Sequence, residues 1–365
     1  MKIDSKIYIA GHNGFVGSFL LKLLRRKGYK NLIFRTSGEL DLRRQSQVEA
    51  FFEKEKPEYV FLLAGRVGGI MANNTYKAEF IYDNITIATN VVHASYKYGV
   101  KKLLNFGSSC IYPKFAPQPI KEEYLLTDTL EPTNEPYAVA KIAAIKLCRY
   151  YNEQYGTNFI SVMPTNLYGP CDNFNLETSH VLPALIRKFR LAALLSQKKY
   201  ADIIRDLTLF GNKIDSLDIS SLINHLAGFG IKSAFRSKAV VELWGSGEPY
   251  RDFLYVDDFA DACLFIMERY DYSDIGEFVN VGTGKDIKIR DLAEMIKDVV
   301  EFKGQIAWDS SKPDGTPRKV LDISKIKSFG WSPTVNVEEG IAITYKWFKE
   351  QEAPKLQVNM EEVAA

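Results

Sequence analysis

Lys6-Ile7-Tyr8-Ile9-Ala10-Gly11-His12-Asn13-Gly14-Phe15-Val16-Gly17, near the start of the chain, decides the fold. Lys6 to Ala10 read as a short apolar strand. Phe15, Val16, Phe19, Leu20, Leu23 and Leu24 then recur on one side of a helix that Gly28 ends. Between strand and helix, Gly11, Gly14 and Gly17 let the backbone approach a pyrophosphate, and the helix N-terminus offers N–H groups and the positive end of its dipole. A tight bend alone would also explain the glycines, but their place at the head of a βαβ pattern favours dinucleotide binding, with Asn13, Phe15 and Val16 completing the turn. The expected architecture is α/β: a Rossmann-type, doubly wound parallel sheet with a smaller, interleaved α/β lobe.

Working outward, a second strand over Asn31-Leu32-Ile33-Phe34 ends in Arg35-Thr36-Ser37. A protein that prefers NAD usually carries an acid there for the ribose diol; Arg35 instead suits the 2′-phosphate of NADP, against the plainer reading of a solvated strand-end residue. The third strand, Tyr59 to Leu63, runs into the small-residue loop Ala64-Gly65-Arg66-Val67-Gly68-Gly69-Ile70, at a strand's C-terminal end where doubly wound sheets bind ligands. A helix is predicted over 77–99, strands over 101–107 and 158–163, and a helix over 289–300.

Tyr137 and Lys141 lie on one face of a further helix, which Tyr137 is expected to open after Pro136 and which runs to Gly156. Upstream, the strand ending at Gly107 delivers Ser108. Phenol, ammonium and hydroxyl together make a proton-transfer unit: Tyr137 is acid or base, Lys141 lowers its pKa, and Ser108 hydrogen-bonds a substrate oxygen. That is the chemistry of adding hydride to a carbonyl.

With the glycine turn, Ser108 and the Tyr137/Lys141 pair in this order, the chain resembles the extended short-chain dehydrogenase/reductase family. Three strings narrow it further: Gly107-Ser108-Ser109-Cys110-Ile111-Tyr112-Pro113, Pro164-Thr165-Asn166-Leu167-Tyr168-Gly169-Pro170 and Ser311-Lys312-Pro313-Asp314-Gly315-Thr316-Pro317-Arg318-Lys319. They look like the GDP-L-fucose synthase branch, which epimerises GDP-4-keto-6-deoxymannose at C3 and C5 and reduces it at C4 with NADPH. The resemblance covers roughly residues 5–350 apart from one insertion. It implies NADP(H) held by the glycine turn, Arg35, Asp41, Leu42, Ala64, Gly65, Lys141, Pro164, Asn166, Leu167 and His180. It also implies a GDP-4-keto-sugar held by Ser108, Ser109, Cys110, Asn166, Lys188, Trp244, Arg251, Lys312 and Asp314. Cys110 would take the C3 and C5 protons and His180 would return them from the other face, although a buried Cys is more often inert and a lone His more often structural. The family often has further basic residues where Asn13 and Ser37 stand, and Arg where Lys188 stands, so both contacts are weaker here. A homodimer through the helices near 77–98 and 137–155 is implied as well; their covering the sheet is the plainer account.

The chain has 365 residues, of which 46% are hydrophobic and 25% charged, with a net charge of +2. That is ordinary for a globular enzyme and gives no footprint for nucleic acid or a membrane. Cys110, Cys148, Cys171 and Cys263 lack CxxC spacing, so neither a metal site nor a disulfide framework is expected; with no signal-like N-terminus or long apolar run, a soluble cytoplasmic protein is.

The dinucleotide domain is expected over 1–171, with roughly 250–275 returning to it. The sugar-nucleotide lobe would take 172–249 and roughly 276–350, and 351–365 would be a frayed tail. Within the lobe, 191–238 reads as an insertion built as a helical hairpin, one helix on Tyr200, Ile203, Ile204 and Leu207, the other on Leu217, Leu222, Ile223 and Leu226. Three other functions compete. The first is a reductase for a GDP-4-keto-heptose or other modified GDP-sugar, with or without epimerisation, in capsule or lipopolysaccharide synthesis. The second is a 4,6-dehydratase, which would carry Asp-Glu where Ser109-Cys110 stands. The last is a non-catalytic NADP-binding protein, in which the Tyr/Lys pair usually decays.

Overall fold

The computed structural model describes residues 1–212, 218–233, 238–312 and 314–352. Pro313, Leu217 and most of the expected tail lie outside the described residues. Six parallel strands form the main sheet, in the order Val279–Val281, Phe159–Pro164, Lys102–Phe106, Tyr59–Leu62, Ile7–Ala10, Leu32–Ile33. Both faces are covered, which is why these strands are apolar at successive positions rather than alternately. Ile7 and Ile9 join a core with the helices Phe15–Arg26 and Val256–Arg269, while Tyr8 and Ala10 join another with Gln45–Glu55 and Lys77–Lys97.

Strand Ile7–Ala10 sits between its two sequence successors, so the winding reverses between it and Tyr59–Leu62. At that point the glycine turn meets the Ala64-Gly65 loop. Gly11 has φ +91°, and a Cβ there would stand 2.8 Å from the Ala64 backbone nitrogen; one on Gly17 would stand 2.1 Å from the Gly11 carbonyl oxygen. Only glycine permits this crossing.

A third core gathers the helices Val181–Ser196, Ile289–Val300 and Val337–Glu352 around the strands Ala239–Trp244 and Gln305–Asp309, which pair in parallel. The return to the main sheet reaches further than residue 275: strand Val279–Val281 forms its edge, and Leu321, Ile323, Ile326 and Trp331 enter its core. Hydrophobic periodicity does not show this, because a three-residue edge strand is too short to carry a pattern.

Between residues 191 and 238 the described residues hold two helices, Tyr200–Leu209 and Ile219–Gly228, and the strand Ile231–Ser233, which adds antiparallel to Ala239–Val241. Arg187, fully buried, ties the helix Tyr200–Leu209 to Val181–Ser196: Nε donates to Asp206 Oδ1 at 2.7 Å, and the guanidinium also reaches the carbonyls of Phe174, Phe210 and Gly211.

The Tyr137 helix starts two residues earlier than expected, at Glu135, with Asn134 as N-cap and Pro136 in the first turn, where a missing N–H costs nothing. Gly156 ends it in the left-handed conformation at φ +67°. Of the four residues expected in the second strand only Leu32 and Ile33 pair. Among the described residues, no helix is long and apolar enough to cross a membrane.

Candidate active site

Strand Lys102–Phe106 ends at a three-residue 3-10 turn, Ser109–Ile111, capped by Ser108, whose Oγ accepts the Cys110 N–H at 3.3 Å. The same side chain lies close enough to the Tyr137 phenol to lower its pKa. The turn therefore puts Ser108, Tyr137 and Cys110 together, with Ser109 buried beneath. Lys141 donates to the Phe106 carbonyl at 2.7 Å, and its Nζ lies 5.7 Å from the Tyr137 ring centroid. Burial brings Lys141 itself down to about 8. The groups that move the Tyr137 pKa are burial and the Cys110 charge, which raise it, and Ser108, which lowers it; the net direction is up rather than the lowering expected from Lys141, which keeps the phenol a proton donor.

The glycine turn fits a dinucleotide. Gly14 caps the first helix without a side-chain hydrogen bond, leaving that helix end's N–H groups for a ligand, and a Cβ at Gly65 would stand 2.5 Å from Asn84 Oδ1 and 3.7 Å from Lys141 Nζ. Asn13 is exposed, and Phe15 and Val16 are half-buried beside the turn. Arg35 is engaged by Glu55 at 2.9 Å and by the Phe34 carbonyl at 2.8 Å, so an incoming phosphate would compete with a carboxylate for it. Asp41 accepts from Arg43 at 2.9 Å, and Asn90 holds the Leu42 carbonyl. Pro164 ends its strand, and Asn166 and Leu167 open the next, where Asn166 Nδ2 donates to the Asp252 carbonyl at 2.8 Å.

His180 caps the helix Val181–Ser196; desolvation of its ring lowers its pKa, and the Lys319 charge lowers it further. Arg251, lowered by burial, feels the charges of Cys110 and Asp314. Asp314 accepts from the Ser246 backbone at 2.6 Å, and Lys312 Nζ lies 5.6 Å from the ring centroid of Trp244, which is 57% exposed. Lys188 is drawn down to about 8 by burial and faces Glu242. Arg251 thus lies within range of both the Cys110 and the Asp314 charges, while Lys312 stands over Trp244 and Lys188 faces Glu242 of strand Ala239–Trp244.

Two further features were not read from sequence. Lys319 Nζ lies 3.8 Å from Cys110 Sγ. Asn134 Oδ1, Asp172 Oδ2 and Ser179 Oγ are buried without hydrogen-bond partners, and burial raises Asp172 to about 7. Polar atoms left so in a native protein point to a ligand or water; the available signal was adjacency, Asn134 three residues before Tyr137 and Ser179 beside His180.

A model of the NAD dependent epimerase/dehydratase family matches residues 7–219 and 211–282. The chain belongs to that family. The two matched segments overlap at 211–219, inside the stretch read as an insertion. Within this family it is 50% identical over 345 residues to GDP-L-fucose synthase 1 of Arabidopsis thaliana, covering 94% of this chain and 93% of that protein. Among solved structures it is similar to a GDP-6-OMe-4-keto-L-xylo-heptose reductase from C. jejuni, with TM-score 0.89 and 42% identity, covering 96% of this chain and 99% of that one. It is also similar to a GDP-D-glycero-L-gluco-heptose synthase from Campylobacter jejuni, solved in the presence of NADPH, with TM-score 0.83 and 41% identity over 96% and 99% of the two chains.

Proposed function

We propose that the protein is an NADPH-dependent epimerase/reductase that inverts C3 and C5 of a GDP-4-keto-6-deoxy-hexose and reduces C4. The observation that carries this is one side chain shared by two chemistries: Ser108 lies close to the Tyr137 phenol, and its Oγ accepts the Cys110 backbone N–H. A carbonyl oxygen held there is within reach of a proton donor for reduction and beside a thiol for enolisation. Identity to a GDP-L-fucose synthase over nearly the whole chain supports the same substrate class.

When bound, NADPH supplies the hydride. Tyr137, kept neutral by burial, gives its proton to the C4 oxygen, Ser108 orients that oxygen, and Lys141 holds the cofactor ribose. A C3 or C5 proton leaves to the Cys110 sulfur, the resulting enolate is held at the Ser108/Tyr137 end, and His180 returns a proton from the opposite face. Arg251, Lys188 and Lys312 are assigned to the diphosphate, Trp244 to the guanine, and the third core to the sugar-nucleotide lobe. The exposed Tyr82, Tyr96, Val139, Tyr150 and Tyr155 on the helices Lys77–Lys97 and Glu135–Tyr155 support a homodimer through them. The four free cysteines are in keeping with a reducing cytoplasm.

A second reading, a GDP-4-keto-heptose reductase, is favoured by the match to the heptose reductase at TM-score 0.89. NADPH oxidation against a panel of GDP-4-keto-sugars, with product NMR, separates the two. Turnover of the 6-deoxy-hexose with inversion at both carbons is expected; turnover of heptose substrates alone would reverse the order.

A further inference from the structure

The cleft holds a cation that neither hydride transfer nor the assigned diphosphate contacts use. Lys319 Nζ, 3.8 Å from Cys110 Sγ, comes from 209 residues along the chain. Its backbone is fixed from both sides. Arg318–Lys319 pairs in parallel with Tyr250–Arg251, Lys319 in register with Arg251, and the Asp252 N–H donates to the Lys319 carbonyl at 3.3 Å. The next residue, Val320, donates to Gln118 Oε1 at 3.0 Å and accepts from Ile120 N–H at 2.8 Å, which pins the strand to the loop that follows Cys110. Register partners carry side chains to the same face of a ladder, which places Arg251 and Lys319 side by side. The groups facing the sulfur are then Lys319, Arg251 with Asp314 behind it, the Tyr137 phenol, and the Ser108 hydroxyl on the Cys110 amide. The Lys319 charge also falls on His180.

We propose that Lys319 is a positioning residue for epimerisation, its ammonium, 3.8 Å from the Cys110 sulfur, holding that sulfur as the proton-abstracting anion. The proposal rests on Cys110 and His180 exchanging the C3 and C5 protons. In that step the C–H proton passes to sulfur and the electron pair to the 4-keto oxygen as an enolate. The enolate carbon then takes a proton from His180, and thiol and imidazole reset by returning one proton each to and from solvent. An anionic sulfur is needed at the first step only, and an ammonium 3.8 Å away meets that need.

The test needs no substrate for its main readouts. Cys171 is exposed while Cys148 and Cys263 are buried, so a Cys171→Ser background leaves Cys110 as the accessible thiol. Because the thiolate is the reacting form, Lys319→Met is expected to slow iodoacetamide alkylation of Cys110 at pH 7.5 by roughly tenfold, and Lys319→Arg to restore it to within about threefold. In Lys319→Met the NMR titration midpoint of His180 moves up, since a cation opposing the imidazolium is gone. NADPH binding serves as the folding control. With GDP-4-keto-6-deoxymannose in D₂O, deuterium exchange at C3 and C5 falls about tenfold. Unchanged alkylation and an unchanged His180 titration in Lys319→Met, even with a raised KM for the sugar nucleotide, would overturn the proposal. If instead Cys110→Ser leaves the exchange intact, the epimerase reading fails while the alkylation and titration results still report on Lys319.

Discussion

Lys141 Nζ donates to the Phe106 carbonyl oxygen at 2.7 Å, joining the helix that carries Tyr137 to the strand that ends at Ser108. One buried cation thus ties the Tyr137 helix to the strand before Ser108, at the cost of desolvation that brings its pKa to about 8.

That cost has a pH signature. Folded Lys141 has a pKa below the ordinary 10.5, so between about pH 8 and 10.5 the unfolded chain holds more protons and stability rises with pH. Below pH 8 the penalty is in full force, roughly 3 kcal/mol. Lys141→Met removes it, so the urea midpoint of this variant relative to wild type is expected to be higher at pH 7 than at pH 10, with reductase turnover lost. A relative stability independent of pH would show that Lys141 titrates alike in both states.

Removing the phenol deletes the acid and little else. Tyr137→Phe is expected to bind NADPH normally and to oxidise it roughly a hundred- to ten-thousandfold more slowly with a GDP-4-keto-sugar present. Normal single-turnover rates would reassign the proton donor.

Arg35 and Glu55 form a 2.9 Å ion pair at the end of the second strand. Arg35→Glu is expected to weaken NADPH binding and leave NADH relatively unharmed, because an acid repels the 2′-phosphate and accepts a ribose hydroxyl. Glu55→Gln, which frees the guanidinium, should act the opposite way on NADPH. Equal responses of both dinucleotides, measured by fluorescence titration, would remove Arg35 from the cofactor site.

The helix Tyr200–Leu209 is tied to Val181–Ser196 by a buried charge pair. Asp206→Asn leaves the Arg187 guanidinium without its counter-ion where no solvent reaches, and breaking such a pair costs about 3–5 kcal/mol. A large drop in thermal midpoint is expected, partly recovered by adding Arg187→Met. Shortening 191–238 without treating Arg187 would fail for the same reason; with Arg187 replaced, the change should appear in the sugar-nucleotide KM rather than the NADPH KM.

What could be read from the chain was what lies close in sequence. The glycine turn, the Tyr137/Lys141 spacing and the Ser108–Cys110 turn are local, and their backbone geometry follows from a few neighbouring residues. Arg187 reads as a solvated helix cation, because the carbonyls and the carboxylate that bury it are supplied 13 to 24 residues away. Lys319 stood inside a quoted string but had no visible role, since only the parallel pairing with Tyr250–Arg251 brings it to Cys110. The loss of the expected tyrosine shift has a similar origin: spacing shows that two groups share a face, not how deeply both are buried.

Epimerisation is where the two readings of substrate and chemistry part. Carbons C3 and C5 flank the 4-keto group, so each C–H is acidified through an enolate, and a base on one face with an acid on the other suffices to invert it. Cys110 lies two residues beyond Ser108 on a turn fixed by the Ser108 hydroxyl, and His180 opens a helix of the facing lobe. Wild type turning over its GDP-4-keto-sugar in D₂O is therefore expected to incorporate deuterium at C3, C5 or both before reduction. Cys110→Ser should slow this exchange while direct reduction at C4 persists, because Tyr137, Ser108 and Lys141 are untouched. Reduction by wild type with no deuterium at either carbon would make the protein a plain 4-reductase that keeps the thiol and imidazole without their chemistry, and the heptose substrate would then come first.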